Sequence, residues 1–252
     1  MNENLSIQAL KKKILKHRGG NYYLSNEILQ FEYKIRKLPL PNKDELVQDF
    51  DYRGALKKNY YKGIYRCLFK VDFKNYYPSI IKEFDLKPSW DKYGIFSLLV
   101  DRLVKISNMN LNADERRKIK QFMVYFCYGF IAYRSSPFCD REYAGTVARK
   151  GRKILQRATY LLKKIQPSAR IILANTDGFI SNIKNKNFNS TYIDEAKRIT
   201  NELNKLLGYK FIRLKFEGFY TEGRFYDVDT YYLYNEYTDE YVRKPNTRPL
   251  LL

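Results

Sequence analysis

A carboxylate set into an apolar strand constrains this chain more than any other feature. Phe69-Lys-Val-Asp-Phe-Lys-Asn-Tyr-Tyr-Pro-Ser-Ile-Ile81 places Asp72 at the end of a strand-like run. Beside Phe69, Val71 and Phe73 its charge is partly desolvated, and a lone desolvated carboxylate is costly unless a cation or hydrogen-bond donors meet it. Asp72 therefore needs a partner. A second run, Ile171-Ile-Leu-Ala-Asn-Thr-Asp-Gly-Phe-Ile-Ser181, has the same form: a strand that breaks at Asn175-Thr176-Asp177-Gly178 and resumes. It reads as a β-hairpin with Asp177 at its tip. If the two strands lie side by side, Asp72 and Asp177 converge, and like charges in a low-dielectric site call for a divalent cation. Oxygen ligands with no His or Cys nearby point to Mg2+ or Mn2+. Two unrelated, exposed turn aspartates are the alternative, and these stretches alone leave it open.

A chain of 252 residues can bury one good core and a small second lobe, and 44% hydrophobic with 16% aromatic content predicts a folded protein. The formal net charge of +20 makes a polyanion the first partner to consider, nucleic acid before membrane. A lysine-rich surface reflecting a biased genome is the competing explanation. Cys67, Cys127 and Cys139 lie far apart and His17 is the one histidine, which argues against a zinc site or a disulfide framework. No apolar run approaches the ~20 residues that span a bilayer, and the N-terminus lacks the apolar core of a signal peptide. The expectation is an intracellular protein without membrane attachment.

Along the chain, the spacing of Leu5, Ile7, Leu10, Ile14 and Leu15 predicts a basic amphipathic helix ending at Gly19-Gly20. A second helix is expected from Ser25, as N-cap, to Leu38, closed by Pro39 and Pro41. An acidic linker covers 42–51. Tyr52-Arg-Gly-Ala-Leu-Lys-Lys58 and Tyr60-Tyr61-Lys62-Gly63 interleave rings, cations and glycine in a way that suits phosphate contact with stacking. After Ile81 a loop runs through Pro88, with Trp90 as an aromatic plug. Helices over Gly94–Ile106 and Ala113–Tyr128 form an antiparallel hairpin whose second arm carries Arg116, Arg117, Lys118 and Lys120. Further helices are expected at Asp140–Lys164 and Asp194–Leu207, with strands at Phe211–Tyr220 and Arg224–Tyr234 and a loose tail from Asn235.

These residues carry a family resemblance. Asp72-Phe-Lys-Asn-Tyr-Tyr-Pro-Ser-Ile-Ile81 resembles the first palm motif of family B DNA polymerases. Tyr128-Gly129 through Phe138-Cys-Asp-Arg-Glu-Tyr-Ala-Gly-Thr-Val-Ala-Arg-Lys-Gly-Arg152 is similar to the segment after the fingers in archaeal-type members. Asn175-Thr-Asp-Gly178 falls where the third motif belongs, Lys215-Phe-Glu-Gly-Phe-Tyr220 resembles the strand after it, and Tyr52-Arg-Gly-Ala55 matches the linker before the palm.

The resemblance implies an α+β fold: a palm with an antiparallel sheet flanked by helices, plus short helical-hairpin fingers. It divides the chain into N-terminal helices and linker (1–69), palm (70–93), shortened fingers (94–129), palm again (130–234) and a C-terminal tail (235–252). Asp72 and Asp177 would ligate two Mg2+ or Mn2+ ions, with Glu217 a supporting carboxylate. Tyr77 would be the gate against a 2′-hydroxyl, with Phe73, Asn75 and Tyr76 near the triphosphate and Tyr128 and Gly129 lining the nascent base pair. Arg116, Arg117, Lys118 or Lys120 would serve where Gln121 replaces the phosphate-gripping lysine. Tyr52, Arg53, Gly54, Thr176 and Tyr231 would contact nucleic acid.

On that basis the chain is expected to be a reduced template-directed DNA polymerase that binds primer-template DNA and dNTP. It would lack exonuclease and thumb, act with a protein partner, and work in the cytoplasm or nucleoid of a prokaryote or in a virus-infected cell. The departures Asn175 and Gln121, and Val228-Asp229-Thr230-Tyr231 in place of Lys-Lys-x-Tyr, keep a second reading open, an inactive palm that binds nucleic acid as a scaffold. A third, a reverse transcriptase, would want two adjacent aspartates where Asn175-Thr176-Asp177 stands.

Overall fold

The computed structural model describes residues 6–42, 54–183 and 191–244. Its backbone forms two units, one from Met1–Gly54 and Asn75–Arg149, the other from Ala55–Lys74 and Lys150–Leu252. The chain is an α+β protein, as its sequence predicts, and each unit is described by itself.

The helical unit holds α1 (Ile7–Lys16), α2 (Asn21–Ile35), α3 (Tyr76–Glu83), α4 (Ile95–Ser107), α5 (Ala113–Val124), a π-helical turn over Tyr125–Gly129, the single turn α6 (Phe130–Ala132) and the start of α7 (Arg141–Ile165). Side-chain caps set several of its helix starts. Asn112 and Glu115 form a reciprocal capping box at α5. Asp140 accepts from the Tyr143 N–H at 2.8 Å ahead of α7, and Asp91 accepts from Phe96 and Ser97 N–H at 3.0 and 3.2 Å at the head of α4. Trp90 is buried as expected of a plug, its indole donating to the Phe138 carbonyl at 3.0 Å and packing on Phe96 and Phe138. On α2, the buried Glu32 receives Arg36 at 3.1 Å and Arg102 of α4 at 2.7 Å.

Two local expectations change here. Helix α2 begins at Asn21, four residues before Ser25, because Tyr22 and Leu24 are packed: Tyr22 lies against Phe130 and Tyr133, and Leu24 is buried. After Phe73 the chain turns through Asn75, whose φ is 46°, into α3, a helix that the sequence reading did not single out. Pro78 sits in the first turn of that helix, where its missing N–H breaks no bond.

The second unit is a sheet of β1 (Lys57–Asn59), β2 (Gly63–Phe73), β3 (Arg170–Asn175), β4 (Gly178–Asn182), β5 (Leu214–Asp227), β6 (Thr230–Asn235) and β7 (Glu240–Lys244), with α8 (Thr191–Leu207) and the end of α7. Its order is β1-β3-β4-β2-β5-β6-β7, every pairing antiparallel. Period-two alternation buries Phe69, Val71 and Phe73 on one face of β2 and puts Leu68, Lys70 and Asp72 on the other. Helix α8 packs along β5, where Asn204 accepts from the Leu214 N–H at 2.7 Å and donates to its carbonyl at 2.9 Å.

The last strands differ from expectation. Gly223 reads as a turn between two strands, yet β5 runs through it, paired with Leu233, and the packing of Leu68, Phe225 and Leu233 there leaves room for no Cβ; the turn falls at Val228-Asp229 instead. Residues 240–244, expected to be loose, form β7, with Tyr241 stacked on Tyr234 at 4.6 Å. Residues 245–252 of the tail and most of the acidic linker lie outside the described residues. Among the described residues no helix is long and apolar enough to cross a membrane.

Candidate active site

Antiparallel pairing brings the two acidic stretches together. Strand β2 lies between β4 and β5, so Asp72 faces Gly178 across one ladder and Lys215 across the other. Asp177 precedes Gly178 in the turn, and its carbonyl accepts the Phe73 N–H at 2.6 Å. Gly178 is required by close approach: an added Cβ would overlap Asp72 Oδ1 and the Val71 carbonyl.

The turn itself is tight. Asp177 N–H donates to the Asn175 carbonyl at 2.6 Å across Thr176, whose φ is 54°, an uncommon conformation for a β-branched residue. Thr176 N–H is anchored by the Leu56 carbonyl at 2.7 Å, and its hydroxyl donates to Asn175 Oδ1 at 3.0 Å. Thr176 thus holds the hairpin tip that carries Asp177.

Lys70, which sequence reasoning did not single out, completes the local electrostatics. Its ammonium lies 3.3 Å from Asp72 Oδ2, with the two side chains 21% and 23% exposed. The signal was legible, since residues two apart on a strand share a face. Burial works against the Lys70 charge, but Asp72, with Tyr231 and Tyr220, outweighs it and leaves the pKa above its ordinary value. Burial pushes the Tyr231 hydroxyl up; Lys70 opposes that shift, and Asp72, Tyr220 and Asp177 add to it. Tyr231 therefore senses both aspartates, yet its ring is only 6% exposed and stacks on Phe225 at 5.8 Å. The ring of Tyr231, expected to contact nucleic acid, belongs to a core with Leu68 and Leu233.

Glu217 is the extra residue of a bulge, since Gly218 pairs with Lys70 and Phe216 with Val71. Its carboxylate meets Lys215 at 3.2 Å. Among the described residues no three acidic, His or Cys side chains gather to hold a metal. The donor set at the strand ends is two carboxylates in a cradle that only glycine leaves open. Hard oxygen donors of this kind fit Mg2+ or Mn2+ in chemistry, and Lys70 is the cation that meets Asp72.

The remaining expected residues belong to the helical unit. Tyr77 stacks on Tyr128 with centroids 4.6 Å apart and rings 12° from parallel, and Tyr76 lies beside Tyr77 at 6.1 Å. Tyr128 and Gly129 close the π-helical turn, a distortion that often accompanies function. Asn75 donates to Ser107 Oγ at 2.9 Å, and Gly54 approaches the Tyr128 hydroxyl. Arg116, Lys120 and Gln121 are exposed on α5, Arg116 donating to the Leu111 carbonyl at 3.2 Å. Tyr52 and Arg53 lie outside the described residues.

No protein-family model matches the chain. It is 25% identical over 233 residues to a DNA polymerase of Desulfurococcus sp. (strain Tok), covering 78% of this chain and 30% of that protein. It is 24% identical over 218 residues to the DNA polymerase alpha catalytic subunit of Xenopus laevis, covering 71% and 15% respectively. The chain thus spans less than a third of the relatives it matches. Among solved structures, the family B DNA polymerase from the hyperthermophilic archaeon Pyrobaculum calidifontis superposes with a TM-score of 0.62 at 17% identity, over 90% of this chain and 33% of that one.

Proposed function

Taking this chain as a relative of family B DNA polymerases, we propose that it catalyses template-directed transfer of a dNTP onto a primer 3′-hydroxyl. The observation that carries this reading is the placement of Asp72 and Asp177 at adjoining strand ends, tied by the Phe73–Asp177 backbone bond. Two Mg2+ or Mn2+ ions held by these carboxylates would activate the hydroxyl and neutralise charge on the leaving pyrophosphate.

The chain's own residues would do the positioning. Asp72 is aimed by the β2 ladder and Asp177 by the turn that Thr176 anchors. In the helical unit, Tyr77 is buried beneath Tyr128, whose half-buried ring would offer a surface suited to a sugar and base, with Asn75 and Tyr76 alongside. Arg116, Lys120 and Gln121 offer donors suited to phosphate. Phosphoryl transfer is mostly positioning and charge neutralisation, so the lack of a histidine base in these stretches is no obstacle.

A second reading, a nucleic-acid-binding scaffold, is favoured by Asn175, whose side-chain oxygen is engaged by Thr176 and adds no charge. Primer extension with Mg2+ or Mn2+ separates the two. Activity lost in both Asp72→Ala and Asp177→Ala supports the enzyme, whereas DNA binding without extension under either metal, unaltered in both variants, supports the scaffold. An RNA template in the same assay addresses reverse transcription.

A further inference from the structure

We infer that Lys70 is a resident counter-cation of Asp72 that competes with the divalent ion and sets the metal affinity of the site. The inference rests on the reading of Asp72 and Asp177 as metal ligands. Its basis is geometric: the ammonium lies 3.3 Å from Asp72 Oδ2, on the face of β2 that the carboxylate itself occupies, with both side chains mostly shielded from water. Lys70 pairs with Ile180 on one side and Gly218 on the other, so neither cross-strand neighbour offers it a carboxylate, and Asp72 on its own strand is the acid it meets.

The charge arithmetic makes this position consequential. Asp72 and Asp177 supply two negative charges, Lys70 removes one, and Asn175 adds none. A divalent ion reaching Asp72 must displace a cation that is covalently attached to the same strand, or bind beside it. Repulsion between the ammonium and the metal is strong in such a shielded place. Lys70 is thus a positioning residue: it holds the carboxylate in place when no metal is present and raises the metal concentration at which the site fills.

The test is direct Mn2+ binding, read from the electron paramagnetic resonance signal of free Mn2+, on the full chain without DNA or nucleotide. Lys70→Met and Lys70→Gln should each bind Mn2+ at least about tenfold more tightly than the native protein. Circular dichroism identifies which of the two remains folded, and either suffices. Asp72→Ala should lose that binding. If both Lys70 variants bind Mn2+ no more tightly than the native chain while Asp72→Ala abolishes binding, the role of Lys70 is overturned and the carboxylate site stands. If Asp72→Ala binds as well as the others, the metal assignment itself falls, and the inference with it.

Discussion

Asp72 lies directly across the ladder from Gly178, and its Oδ1 occupies the space that a side chain at position 178 would need. Gly178→Ala should therefore push β2 and β4 apart and displace the carboxylate. Overpacking of this kind costs about 1–3 kcal/mol, readable in denaturant unfolding. Primer extension should fall by ~100-fold, the scale of a one-ångström misplacement at a reacting centre. Native-like extension would mean that Asp72 does not act at that spot.

Tyr77 is held by its stack on Tyr128. Its proposed role as gate predicts that Tyr77→Ala raises ribonucleotide use relative to deoxynucleotide by at least about tenfold, while Tyr77→Phe keeps native discrimination. Single-nucleotide insertion with each substrate measures the ratio. An unchanged ratio in an active Tyr77→Ala protein would remove the gate assignment.

Glu32 is fully buried between Arg36 and Arg102. Glu32→Ala leaves two guanidinium groups facing an apolar hole and should destabilise the helical unit by ~3–5 kcal/mol. Replacing Glu32, Arg36 and Arg102 together by Met should recover much of that loss, because a matched apolar set carries no stranded charge. Unfolding followed by circular dichroism distinguishes these outcomes.

Asp91 offers a pH signature. Burial raises its carboxyl above the ordinary value, partly offset by donors from Phe96, Ser97 and Ile95. A raised acid favours folding most when protonated. Its contribution is full below the ordinary carboxyl pKa and lost as pH climbs through the elevated one. The stability of the native chain relative to Asp91→Asn should therefore rise as pH falls from 7 toward 4. A difference that is flat, or that shrinks toward acid, would contradict the shift.

Much of the candidate site was legible before any coordinates. Apolar alternation around Asp72 and the break at Asn175–Gly178 carry strand and turn signals that survive in any packing. The position of Lys70 followed from the same alternation, although only the 3.3 Å contact gives it weight. Glu217 and Tyr231 were not readable in this way. A one-residue bulge sets where Glu217 lies in the ladder, and burial of Tyr231 depends on which strands curl over it. Helix α3 was missed because Tyr76-Tyr77-Pro78 reads as extended until the proline is seen to occupy a first helical turn.

Local patterning determined the identities here: an acid in an apolar strand, an acid in a turn, a basic helical hairpin and an α+β mixture. Such features depend on residues a few positions apart, and sequence records them. Register and burial were decided by the tertiary structure. The twenty strand residues of β5 and β6 had to be divided at one turn or another, and the pairing of Asp227 with Thr230 puts that turn at Val228-Asp229, while Gly223 stays in the strand where Leu68, Phe225 and Leu233 leave no room for a side chain. Likewise, nothing local pairs position 72 with position 178. That pairing comes from burying Phe69, Val71 and Phe73 on one face beside Phe179, which leaves the two carboxylates a single strand end to share.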